Sequence, residues 1–491
     1  MRPGFKTVVV FEDREMSAAQ YRYPCLALTG RSFFLNAFGI FSKLVFIFRG
    51  NLLCARVRRQ AVSANVFEPK EDTAMPAKYV RGLKCRECHH NYGTKPVHVC
   101  EMCFGPLEID YDYELIAKDI SREKIESRGK NMWRYEEFLP LDNAPIVGQQ
   151  TGFTPMIRAD RLAKKLGVKE LWVKNDAVNF PTLSFKDRVV SCAVSKAVEF
   201  GFKTVACATT GNLGNSVAAQ AVQAGLECYI FMPANLESGK ILGTSIYGVH
   251  VVGISGNYDG VNRLCSEIAG KFGWAFANIN LRPYYAEGSK SMGHEICEQL
   301  GWKAPDNVVS PMAGGSLICK VDKAIHEFEK TGLIPKAHTK MFGAQATGCN
   351  PITHAVKQGW DLFKPVKPNT IAKSIAIGNP ADGFYSIKVM RSSGGWGEDC
   401  SEEEVIHGIQ LLAETEGIFT ETAGGVTVSV AKKLIEQGRI DRDSCTVLCI
   451  TGNGLKTLDA IVESTPRPDV IDAKLSEFEK LIEVMKTRAK K

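Results

Sequence analysis

From residue 171 onward, short apolar runs alternate with amphipathic stretches, and this alternation limits the fold more than any other feature. The runs are Leu171–Lys174, Thr204–Ala208, Glu227–Met232, His250–Ile254, Val308–Ser310, Lys340–Ala344 and Thr446–Ile450. Between them fall helical stretches at Lys186–Phe200, Asn215–Gly225, Tyr258–Phe272, Ser291–Leu300, Lys320–Thr331, Glu402–Glu416 and Gly424–Gln437. Several runs are apolar throughout, as in strands covered on both faces. Strand–helix alternation over roughly three hundred residues predicts an α/β body with mostly parallel sheets. There is no internal repeat and no heptad pattern.

In such a body, ligands bind where strands end. Three turns occupy that place. Thr209-Thr210-Gly211-Asn212-Leu213-Gly214-Asn215-Ser216 follows Thr204–Ala208, and its Thr and Asn side chains suit a carboxylate and a ring hydroxyl. Pro311-Met312-Ala313-Gly314-Gly315-Ser316-Leu317 has small residues that let the backbone close around a phosphate. Ile450-Thr451-Gly452-Asn453-Gly454 carries Thr451, whose hydroxyl suits a ring nitrogen. Upstream of all three, Lys186 opens a helix within Ser184-Phe185-Lys186-Asp187-Arg188. A desolvated lysine amine loses its proton and forms an imine with a cofactor aldehyde. Taken singly, each glycine turn reads as a tight connection and Lys186 as a surface lysine. Their combination at strand ends points to a bound cofactor.

The net charge of +7 raises the question of nucleic acid. The whole excess lies in residues 1–67, where Arg and Lys far outnumber Glu12, Asp13 and Glu15. The remainder is balanced and has no basic excess for a polyanion. Met16 to Phe67 contains no acidic residue, and Ser and Ala are interspersed with its arginines, as in an organellar transit peptide. Its apolar stretch, Ser32 to Phe48, is broken by Asn36 and Lys43 and falls short of the ~20 apolar residues a membrane span requires. The alternative is an extension ahead of a true start at Met16 or Met75. The expected location is a plastid, with mitochondrion or cytoplasm as alternatives, and no membrane in the mature form.

Of 16 cysteines, four form two knuckles, Cys85-x2-Cys88 and Cys100-x2-Cys103. Two such pairs present four thiolates to a tetrahedral zinc and leave no position open for water, so the predicted role is structural. His89, His90 and His98 are expected as exposed ribbon residues. The other cysteines, among them Cys192, Cys207, Cys228 and Cys449, stand singly in apolar segments and read as reduced, buried thiols.

The chain resembles the threonine synthases, pyridoxal-phosphate enzymes of the tryptophan-synthase-β-like fold. Ser184-Phe185-Lys186-Asp187-Arg188, Thr209-Thr210-Gly211-Asn212, Phe231-Met232-Pro233-Ala234, Glu287-Gly288-Ser289-Lys290, Ala344-Gln345-Ala346 and Thr451-Gly452-Asn453-Gly454-Leu455-Lys456 carry the resemblance, over about residues 80–465. It implies two mostly parallel sheets flanked by helices, with a zinc-ribbon-like head. The domains expected are a targeting or disordered extension (1–73), the ribbon (80–110), a catalytic body of two subdomains (111–465, with 118–145 a polar linker) and a C-terminal helix (466–491).

The resemblance further implies that Lys186 holds pyridoxal phosphate and shuttles protons. Asn212 would bond the ring hydroxyl and Thr451 would face the ring nitrogen. Ala313, Gly314, Gly315, Ser316 and Leu317 would form the phosphate cup. Ser184, Thr209 and Thr210 would lie around the substrate carboxylate and the imine. An arginine common in the family is replaced here by Tyr285. The substrate's phosphate is therefore assigned to Arg282, with Lys240 and Arg188 as alternatives. The implied reaction converts O-phospho-L-homoserine and water to L-threonine and phosphate in a homodimer. Competing readings are a cysteate synthase, a serine/threonine dehydratase, or a non-catalytic metabolite-binding protein on the same fold.

Overall fold

The computed structural model describes residues 44–48, 51–55, 78–256 and 258–488, which fall in two compact units, Met1–Glu68 and Pro69–Lys491. In the first, Leu44–Phe48 and Asn51–Ala55 pair antiparallel. The rest of the expected targeting arm lies outside the described residues.

The second unit holds two large sheets. One has six strands in the order Trp396–Cys400, Lys340–Ala346, Asn307–Pro311, Cys445–Ile450, Glu170–Asn175 and Met156–Arg158. All neighbours are parallel except the last pair. The other has four parallel strands in the order His250–Ile254, Glu227–Pro233, Thr204–Ala208 and Ala275–Phe276. Central strands are buried along their length: Val308 and Val447 face each other in register, and both are fully buried. That burial on both faces explains their unbroken apolar sequences.

The strand Trp396–Cys400 escaped the sequence pattern because Glu398 and Asp399 interrupt it. Both carboxylates are buried and paired with Lys357, which approaches Asp399 to 2.7 Å and also bridges Glu398. A buried charge with a partner does not oppose strand formation as an unpaired one would. The short Met156–Arg158 and Ala275–Phe276 strands were also missed.

The polar linker expected at 118–145 is instead folded structure. A helix spans Arg122–Glu126 and a 3₁₀ turn spans Met132–Phe138. Its charges are used internally: Arg134 reaches Glu298 at 2.7 Å and Arg128 reaches Glu137 at 2.6 Å. Met132, Tyr135 and Phe138 are fully buried beneath them.

Residues 80–111 form a three-stranded antiparallel sheet from Val80–Cys85, Asn91–Tyr92 and Leu107–Tyr111. Leu83, Leu107, Ile109 and Tyr111 belong to the same apolar core as Val205, Ile230 and Val308. Complete burial of a side chain such as Leu83 stabilises by about 1.5–3 kcal/mol, so the ribbon is anchored to the body. The C-terminal helix, Leu475–Arg488, is exposed along most of its length. Among the described residues, no helix is long and apolar enough to cross a membrane.

Candidate active site

Helix Lys186–Glu199 begins just after Ser184, whose backbone bridges Gly452 on the turn that follows strand Cys445–Ile450. Phe185 N–H donates to the Thr451 carbonyl at 2.9 Å. These contacts place the first residue of the helix, Lys186, at the C-terminal ends of the large sheet. Lys186 opens into a cavity of about 420 Å³. Its amine lies 4.4 Å from the Phe185 ring centre and 5.9 Å from that of Tyr285. Burial pushes the Lys186 ammonium down to about 8, while the nearby Glu421 carboxylate acts in the opposite direction.

Two helices start at the cavity wall directly after a glycine. Asn212–Gln223 follows Gly211 (φ +124°), and Ser316–Lys330 follows Gly315 (φ +91°). Positive φ suits glycine, and neither site has room for more. A Cβ at Gly211 would lie 2.2 Å from Lys240 Cδ, and one at Gly315 would lie 2.2 Å from Ser386 Oγ. The second helix has no side-chain cap, and free N–H groups at a helix start attract anions. Beside the second helix, Gly314 has open space where a side chain would be.

The structure brings Lys186, Thr209, Thr210, Asn212, Arg282, Thr451 and the whole Ala313–Leu317 cup around one cavity. Ser184 does not line it; its hydroxyl is buried and unpaired behind the wall. Thr209 lines it, but its Oγ1 accepts the N–H groups of Gly211 and Gly214, each at 2.9 Å. Thr209 therefore builds the turn. Arg188 and Lys240 are removed as receivers of a substrate phosphate. Arg188 is buried between Asp176 (2.6 Å) and Glu295, and Lys240 is buried against Glu237 (3.1 Å). The cations on the wall besides Lys186 are Arg282 and Arg263.

Sequence reasoning missed Glu421 and Asp382. Glu421 is buried and accepts from Asn212 Nδ2 on both carboxylate oxygens, at 2.9 and 2.8 Å. Asp382 holds Arg282 Nη2 at 2.7 Å. Neither residue sits in a strand-end turn. The one available signal was an acidic residue just ahead of a helix that it does not cap.

The site fits a pyridoxal phosphate on four counts: a lysine amine poised near neutrality, an uncapped glycine turn for the phosphate, the Thr451 hydroxyl, and a vacant acceptor. Asn212 Oδ1 is buried with no hydrogen-bond partner, and buried acceptors are rarely left so.

At the ribbon, Cys85, Cys88, Cys100 and Cys103 place their sulfurs within 4.8 Å of one another. Cys85 and Cys103 are 3.5 Å apart, and Cys88 and Cys100 are 3.6 Å apart. A tetrahedron with Zn–S bonds of ~2.3 Å requires sulfur separations near 3.8 Å. None of His89, His90 or His98 joins the cluster; His98, expected to be exposed, is half-buried. Cys192, Cys207, Cys228 and Cys449 are free, buried thiols.

An α/β body with a lysine, a glycine turn and a vacant acceptor around one cavity defines a pyridoxal-phosphate enzyme. Residues 147–452 match the family described as pyridoxal-phosphate dependent enzyme. Solved structures share the fold at low identity. Diaminopropionate ammonia lyase from Escherichia coli aligns with TM-score 0.56 at 18% identity, over 70% of this chain and 93% of its own. O-ureido-L-serine synthase gives 0.54 at 21%, over 69% and 100%. The threonine synthase of Methanocaldococcus jannaschii is 38% identical over 403 residues, 81% of this chain and 98% of its own. That of Methanosarcina acetivorans is 36% identical over 407 residues, 82% and 98%. The chain belongs to the threonine synthase family of pyridoxal-phosphate-dependent enzymes.

Proposed function

We propose that this chain converts O-phospho-L-homoserine and water to L-threonine and phosphate. The observation that carries the reading is one cavity lined by Lys186, by the Ala313–Leu317 turn and by Arg282. Bound pyridoxal phosphate supplies the electron sink that accepts charge when a substrate C–H bond breaks. Asn212, Thr451 and the Ala313–Leu317 backbone hold it, and Thr451 offers the ring nitrogen a neutral hydroxyl. Near pH 8 the Lys186 amine exists in both protonation states. It therefore removes the α proton and then a β proton, and gives a proton back at the γ carbon once phosphate has left there, while water adds at the β carbon. Glu421 keeps its pKa from falling further. Arg282 retains several guanidinium N–H donors beyond the one it gives Asp382, and these receive the substrate's phosphate and then the departing one.

Supplying O-phosphohomoserine and measuring threonine and phosphate tests the reading. O-phosphoserine with sulfite, and free serine or threonine, test the cysteate synthase and dehydratase alternatives. Absence of threonine from phosphohomoserine rejects the proposal.

Three further assignments belong to the same reading. The thiolate cluster holds a structural zinc, supported by its sulfur spacings and testable by metal analysis of the purified protein. Residues 1–73 direct the chain to a plastid, supported by their composition and testable by fusing them to a fluorescent protein. The enzyme is a homodimer. Leu242 and Ile246, which stand 68% and 80% exposed, support an interface there, and sedimentation would measure it.

A further inference from the structure

The ribbon touches three segments that wall the cavity. Its Lys95 carbonyl accepts from Tyr284 on helix Arg282–Glu287 at 2.8 Å. Its Glu108 meets Lys320 on helix Ser316–Lys330 at 2.5 Å. Its Arg86, inside the first cysteine knuckle, reaches Asp382, the residue preceding helix Gly383–Ser392.

Asp382 is where these contacts converge. An aspartate at this position ordinarily caps its own helix. Here it makes no side-chain cap, and its carboxylate turns to Arg282 instead. Arg86 approaches the other carboxylate oxygen to 4.0 Å. The Arg86 guanidinium stacks 3.5 Å above the Tyr385 ring, and the Tyr385 hydroxyl donates to Glu87 of the same knuckle. The backbone of Asp382 serves the phosphate cup. Its N–H donates to the Gly314 carbonyl at 2.8 Å, and its carbonyl accepts Ser386 Oγ at 3.0 Å. Ser386 Oγ also donates to the Gly315 carbonyl at 3.0 Å.

We propose that Asp382 is a positioning residue for substrate binding, orienting Arg282 toward the substrate's phosphate, and that the ribbon holds Asp382 in place through Arg86. The inference rests on the reading of Arg282 as the receiver of that phosphate. Asp382 takes one N–H of Arg282 and leaves its other guanidinium donors free for the substrate's phosphate. The cup contacts of Asp382 are made by backbone, so removing its charge leaves the cofactor's cradle in place.

The test is steady-state kinetics of the holoenzyme with O-phosphohomoserine, together with the visible absorbance of bound cofactor. Asp382→Asn is expected to raise KM about tenfold, the effect of losing one charge-assisted hydrogen bond, with kcat changed far less. Cofactor absorbance should stay at the wild-type level. Asp382→Glu, which keeps the charge, should restore much of the affinity, and Arg86→Met should raise KM by a smaller factor. A wild-type KM in Asp382→Asn overturns the inference. If Asp382→Asn does not fold, Arg86→Met decides: a KM identical to wild type overturns it. Arg282→Ala separates the two levels. An unchanged KM there rejects the Arg282 reading itself. A raised KM there with a normal one in Asp382→Asn rejects only the positioning role.

Discussion

Asn212 donates its side-chain amide to both carboxylate oxygens of Glu421, at 2.9 and 2.8 Å. Asn212 opens the helix after strand Thr204–Ala208 of the four-stranded sheet, and Glu421 precedes helix Thr422–Glu436, which packs against the six-stranded sheet. This pair ties the two sheets together at the cavity and places a carboxylate near Lys186. It also leaves Asn212 Oδ1 as the group free to meet the cofactor.

The pair sets a pH dependence. Cofactor capture by the apoprotein requires neutral Lys186, so its rate should rise with pH, with a midpoint near 8. The Glu421 carboxylate raises that pKa, so Glu421→Gln should move the midpoint to lower pH. Stopped-flow absorbance across pH 6–10 measures both, and an unmoved midpoint would mean that the charge of Glu421 does not reach the amine.

Lys186→Ala should lower kcat by roughly 10²–10⁴-fold, because the group that moves protons is gone. Borohydride treatment of the wild type followed by peptide mapping should place a pyridoxyl group on the peptide containing Lys186. A label elsewhere would remove Lys186 from its role.

Gly315→Ala should weaken cofactor binding. The new methyl group meets Ser386 Oγ at 2.2 Å and the Asp382 carbonyl at 3.0 Å, at a φ of +91°. Strain of this kind costs about 1–3 kcal/mol and falls on the phosphate cup. Titration with pyridoxal phosphate should show the loss.

Cys100→Ser should abolish bound zinc and lower the melting temperature by about 5 °C, since a metal that binds only the folded ribbon stabilises it. Zinc content measured beside calorimetry checks this. A variant that lost zinc yet melted normally would show that the core contacts of Leu83 and Ile109 hold the ribbon unaided.

Much of this site was legible because its parts lie at ends of elements. Lys186, Asn212, Thr451 and Ala313–Leu317 each follow an apolar run or open a helical one, and a sheet of parallel strands gathers such ends on one edge. Glu421 and Asp382 were not legible. Their partners, Asn212 and Arg282, are 209 and 100 positions away, and no local pattern records a contact at that separation. Arg188 and Lys240 misled for the converse reason. A cation near a motif looks available until the carboxylates that occupy it, Asp176, Glu295 and Glu237, are placed beside it.

The sequence by itself determined the α/β class, the place of Lys186 at the head of a helix beside strand ends, and the paired spacing of Cys85, Cys88, Cys100 and Cys103. Each depends on periodicity or short spacing, which local chain geometry converts directly into structure. Only the tertiary structure decided how the charges are shared. It buried Arg188 and Lys240 in ion pairs, left Arg282 on the cavity wall, set Glu421 against Asn212 and turned Asp382 away from its own helix. Burial and pairing determine whether a charged group is spent on stability or free for a ligand, and both are properties of residues distant in the chain.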